Sequence, residues 1–242
     1  MNIAKFGGIM LVAGAALNLT RMIPIFIGGD VPLESIPPHT AEQISTVALL
    51  PGWVTSHVMG FLSVPLLISG FVAMYRSLDE LKPDVLWIAS TVFLSVGMLF
   101  YGIGVTVDGS LLPQAARQLL AATSEADKSA ATMVQLITHK LAVSTGGISL
   151  LGVFPGLALL GAGLYRTPEH KIIGVSGLLV GSLGVVAMIF GVVDYRMNHN
   201  GTLSAGTLFG AQAWMFAFGV FSLLGHLNAS EGKSAREVTS SL

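Results

Sequence analysis

Arg21, His57, Asp108, His139, Lys140 and Asp194 are the side chains of this sequence that could do chemistry, because each lies in or beside an apolar stretch. Charge next to hydrocarbon is energetically expensive, so ionisable groups kept there are functional candidates by default. A neutral imidazole can ligate haem iron or a first-row metal ion. His57 and His139, with Asp108 and Asp194 at the same level, would make a mixed nitrogen–oxygen site for haem b or a transition metal. Taken singly, each imidazole reads as a headgroup-level residue bonded to a carbonyl or to water. The four together point to function. Arg21 is expected to pair with Asp108 or Asp194, or to bind an anionic group such as a haem propionate. Asn18 lies about one turn earlier on the same helix face and would bond the same ligand. Gln212 reads as an interhelical hydrogen-bonding group.

Other chemistry is excluded. No span carries a His-x-x-x-His or His-x-x-His pair, so a single-helix zinc or di-iron motif is absent. The chain has no cysteine, which removes disulfides, thiolate metal sites, thiol nucleophiles and covalent haem attachment. There is no Walker A loop, dinucleotide fingerprint or local Ser–His–Asp signature. A formal net charge of −1 provides no basic field for nucleic acid. His39, His170, His199 and His226 read as solvated imidazoles at loops and helix ends.

The elements that must position these residues are set by hydropathy. Of the 242 residues 52% are hydrophobic and 10% charged, whereas a soluble domain carries about 25% charged residues. Six apolar stretches, near 3–28, 53–75, 85–107, 141–164, 172–193 and 203–227, are long enough to cross a bilayer. The sequence therefore predicts an all-α integral membrane protein, a bundle of about six transmembrane helices with short interfacial helices in its outer loops. Residues 1–228 would form one polytopic domain and 229–242 a polar cytoplasmic tail. A signal peptide is an alternative for the N-terminus, but the apolar stretch runs on past the usual 7–15 residues through Ile23, Ile25 and Ile27. Thr40 and Gln43 have capping-box spacing, and 41–50 reads as a helix lying on the membrane surface. The connector 108–138 is amphipathic behind Pro113, with a second helix start at Ser124 and Asp127.

Lys and Arg counts orient the bundle. With both termini cytoplasmic, Lys5, Arg76, Lys82, Arg166, Lys171, Lys233 and Arg236 lie inside, and Arg117, Lys128, Lys140 and Arg196 outside. A faint repeat accompanies this. His57, Pro65 and Tyr75-Arg76 in the second span match His139, Pro155 and Tyr165-Arg166 in the fourth, and each is followed by a helix ending in Asp. Gly174, Gly177, Gly181 and Gly184 share one face of the fifth span, and the fourth is equally glycine-rich, so both read as close packers against other helices or partner membrane subunits. The sequence thus points to a membrane redox protein with an outward-facing His/Asp/Arg pocket. Solute or proton-coupled transport, or a non-catalytic subunit or assembly factor of a membrane complex, are the alternatives.

Overall fold

The computed structural model describes residues 2–28, 40–81, 84–198 and 202–225, with side chains described for all of these except 26–28, 79–81, 191–198 and 202–206. Every regular element among the described residues is a helix. Helix α1 spans Ile3–Thr20, α2 Ile23–Gly28, α3 Ala41–Ala48, α4 Trp53–Leu81 and α5 Val85–Thr106. Helix α6 spans Leu112–Ala121, α7 Glu125–Tyr165, α8 Lys171–Asn198 and α9 Thr202–Leu223. Five helical stretches, Ile3–Ile25, Trp53–Leu78, Val85–Ala121, Glu125–Tyr165 and Pro168–Phe190, are long and apolar enough to cross a bilayer, and the apolar helix Thr207–Leu223 completes the set.

The long helices form a closed ring. Each of α1, α4, α5, α7, α8 and α9 packs on the next, and α9 returns to α1. Small residues make the seams, because in lipid the gain comes from close backbone approach rather than from hydrophobic burial. A Cβ on Gly152 would lie 2.5 Å from the Cα of Gly97, and one on Gly161 would lie 2.1 Å from the Leu178 nitrogen. At the closing seam, a Cβ on Gly8 would meet the Gly219 carbonyl at 2.8 Å, and Ser222 donates to the Ala4 carbonyl at 2.8 Å. The expected glycine face of the fifth span packs in the same way. Gly174 and Gly181 abut the α7 backbone, Gly184 abuts Phe154, and Gly177 takes Trp214 of α9. Gly146 and Gly147 differ, since nothing lies within 4 Å of a Cβ on either. Leu11, Leu67, Met98, Phe154, Leu157, Met215 and Phe218 fill the shared core.

Three features depart from the simple six-span picture. The first span is broken after Thr20, with α2 restarting at Ile23. Proline has no N–H, so Pro24 cannot satisfy the Thr20 carbonyl, and the chain turns there. Gly52 adopts φ +82° where the turn before α4 presses on Pro24, and a Cβ there would sit 2.2 Å from the Pro24 carbonyl oxygen. Second, α7 is one continuous helix of 41 residues rather than a connector followed by a span. Ser124 caps it as expected, accepting from Asp127 N. Third, the capping box of Thr40 and Gln43 is present on α3, and the apolar face of α3 packs on protein. Ile44 and Ala48 are buried with Leu112 and Ala116 of α6, and Leu136 of α7 packs against them. Gln135 donates to Ser45 at 2.7 Å across this cluster. A face covered by protein has no apolar area left to insert into lipid. Helices α3 and α6 and the N-terminal part of α7 therefore form a small cap on the end of the ring that carries Arg21, His57 and Asp108.

Candidate functional site

The polar end is built from two adjoining groups. The first begins at the N-terminus of α4. Trp53 and His57 are one turn apart, so they share a face, with ring centroids 4.5 Å apart. His57 Nδ1 lies 2.7 Å from the Trp53 carbonyl oxygen, and Nε2 lies 3.0 Å from Asp108 Oδ2. A carbonyl oxygen only accepts, so Nδ1 carries a proton. The bond between Nε2 and the carboxylate then needs a second proton, held on either the imidazole or Asp108. His57 is 7% exposed and Asp108 29% exposed, so the carboxylate side of the pair reaches the surface of the bundle.

Asp108 is presented by an irregular turn. Helix α5 widens at Val107–Leu111 into a single π turn, in which Leu112 N–H donates to the Val107 carbonyl, and then passes into α6. Such bulges recur at functional sites because they re-aim one side chain out of helical register. Trp53 Nε1 donates to the Asp108 carbonyl at 3.0 Å and locks the turn from the α4 side. Gly109 permits the approach, since a Cβ there would lie 2.2 Å from the Cβ of His57.

The second group joins α1, α4 and α5. Asn18 donates to Ser63 Oγ at 2.9 Å, Ser63 donates to the Gly60 carbonyl at 2.6 Å, and the Tyr101 hydroxyl donates to Asn18 Oδ1. Arg21 stands over this network, its guanidinium carbon 5.5 Å from the Tyr101 ring centroid. As the C-cap of α1 it sits at the negative end of the helix dipole, which favours a cation. Its Nη1 is buried without a hydrogen-bond partner, as is Ser56 Oγ.

The predicted site residues thus fall into different partnerships. Asn18 is in the network and Arg21 lies over it, while Asp108 is held by His57, and among the described residues Arg21 makes no ion pair. His139 lies half-buried on α7. The Cβ position of Gly104 faces Thr145 and Ala142, so antiparallel packing brings His139 to the height of the π turn. No group of three or more His, Asp or Glu side chains able to hold a metal occurs among the described residues. The side chain of Asp194 and residues 229–242 lie outside the described residues. Gln212 is 4% exposed, and its Oε1 makes no hydrogen bond. Tyr101, Ser63, Ser56 and Trp53 escaped the sequence reading. Periodicity would have reached two of them, since Trp53 is one turn from His57 and Tyr101 two turns from Asp108.

No family model, curated protein or solved structure matches this chain.

Proposed function

We propose that this chain is a multi-pass membrane transporter that binds a small anionic or protonatable solute at the polar end of its ring and couples it to a proton held between His57 and Asp108. The observation that carries this reading is the imidazole bonded on both nitrogens, with a partly exposed carboxylate as its outer partner. A proton can pass between solvent and the pair through Asp108 without exposing the imidazole, which is the arrangement a relay needs. The break in the first span beside Arg21 supports the same reading, since interrupted helices are a common way for transporters to build a binding site within the membrane. Following the Lys/Arg bias, both termini are cytoplasmic and the site opens outward.

A second reading is a haem or metal site using His57 of α4 and His139 of α7, supported by the level of the π turn that both residues share. It asks His57 to give up one of its two hydrogen bonds.

The two are separated on purified protein in nanodiscs. Infrared difference spectra across a pH titration should show one carboxyl or imidazole transition that disappears in both His57→Gln and Asp108→Asn. An unchanged titration in both variants overturns the proton reading. An absorbance band in the haem region that depends on His57 establishes the second.

A further inference from the structure

The proton-coupled reading leaves the solute unspecified, and the second polar group narrows it. We infer that Arg21 Nη1 and Ser56 Oγ bind the oxygens of a small anion, a carboxylate or a phosphate, between α1 and α4. This inference rests on the transport reading and names its substrate class.

Both atoms are buried without a hydrogen-bond partner, and both are donors. They flank one patch of α4. The Cβ position of Gly60 lies 3.2 Å from Arg21 Nη1 and 3.2 Å from the Tyr101 hydroxyl, and Ser56 is one turn earlier on the same face. A side chain at position 60 would crowd both groups, so glycine lets the Arg21 guanidinium pack against α4 on the face that carries Ser56. Asn18, Ser63 and Tyr101 are bonded to one another, and the Arg21 guanidinium also bonds the Tyr101 hydroxyl, while its Nη1 has no acceptor.

The sign of the ligand follows from charge. Among the described residues no carboxylate pairs with Arg21, and Asp108, one of the two partners expected from the sequence, is bonded to His57. A guanidinium nitrogen shielded from water with no acceptor is destabilised, and an anionic oxygen relieves that while forming a charge-assisted bond. The His57–Asp108 pair holds one proton beyond that on Nδ1 and is therefore net neutral, so it does not repel an incoming anion. Arg21 as a whole residue is half-buried, although its Nη1 is buried.

Two sources carry this chemistry: a soluble small anion, or the headgroup of an acidic lipid. Thermal unfolding of the full chain in phosphatidylcholine nanodiscs distinguishes them, with acetate or inorganic phosphate added, or with phosphatidylglycerol in the disc. Stabilisation by acetate or phosphate supports a soluble solute, and stabilisation by phosphatidylglycerol alone supports a lipid headgroup. In either case Arg21→Gln should weaken the apparent affinity about tenfold to a hundredfold, the worth of one charge-assisted bond. Ser56→Ala, a small change in a packed helix, should weaken it about threefold to tenfold. If Arg21→Gln does not fold, Arg21→Lys and Ser56→Ala carry the test. Binding equal to wild type in the folded variants, or no stabilisation of wild type by any of the three probes, overturns the inference. The infrared titration of His57 and Asp108 needs no anion, so its outcome reports on the transport reading separately.

Discussion

Gly109 sets the distance between the two residues on which the proton reading depends. A methyl group there would occupy the space of the His57 Cβ, 2.2 Å away. Gly109→Ala should therefore destabilise by about 1–3 kcal/mol, the usual range for overpacking, and should abolish the shared infrared transition of His57 and Asp108. Gly146→Ala is the matched control. It meets nothing within 4 Å, and replacing a helical glycine should be neutral or stabilising by up to about 1 kcal/mol. Unfolding midpoints of both variants in one detergent test the contrast. The partnership of Asp108 makes a second residue-level prediction. A double-mutant cycle between His57 and Asp108 should give a coupling of about 0.5–3 kcal/mol, and the cycle between Arg21 and Asp108 a smaller one. Equal couplings would mean that Arg21 reaches the carboxylate. Residue types near the membrane identified these groups from sequence, but not who pairs with whom. Sequence alone leaves Arg21 to pair with Asp108 or Asp194 or to bind an anionic group, because the chain order leaves the azimuth of each helix undefined. The π turn then rotates Asp108 toward α4, and no composition rule signals that turn.

Hydropathy located the apolar cores of the helices well and their ends poorly, for physical reasons. The start of α7 is polar enough to fall outside the apolar span 141–164, yet the helix that begins at Ser124 runs straight into that span, since no proline or glycine interrupts 125–145. Helical continuity depends on backbone compatibility, which hydropathy does not measure. Conversely, the first span looks continuous by hydropathy and is broken because Pro24 withholds one donor. The glycine stripe of α8 was readable, because a repeat of three and four residues fixes a single face. It carries a prediction at this scale. Gly181 abuts the Ala158 nitrogen, with a Cβ position 2.3 Å away. Backbone cannot rotate aside as a side chain can, so Gly181→Leu should push α7 and α8 apart. The loss should reach or exceed the upper end of overpacking, about 3 kcal/mol. A folded Gly181→Leu with an unchanged midpoint would show that this seam adapts.

For the molecule as a whole, the ring closes through α1 and α9, and the cap covers only the end that carries His57, Asp108 and Arg21. The height of that cap above the bilayer follows from one helix. At 1.5 Å per residue, the 41 residues of α7 run about 60 Å, twice the hydrocarbon thickness of about 30 Å. Lying wholly inside hydrocarbon would need a tilt of about 60°, beyond the 0–40° seen for membrane helices. Burying Glu125, Asp127 and Lys128 in lipid would be more unfavourable still. The N-terminal half of α7 must therefore project from the membrane on the cap side. Counting about 20 residues back from Tyr165 puts the boundary near Thr145. The chain has no cysteine, so single cysteines can be introduced without background. Cysteines at exposed positions along 125–144 should react with a membrane-impermeant maleimide on intact cells, and reactivity should fall away near 145. A cysteine at Glu169, in the turn at the opposite end, should react only after permeabilisation. The reverse pattern would invert the orientation and turn the site to the cytoplasm. Reactivity lost already near 130 would instead mean that the cap is sunk into the headgroups, and the path to Arg21 would then run from the lipid rather than from water.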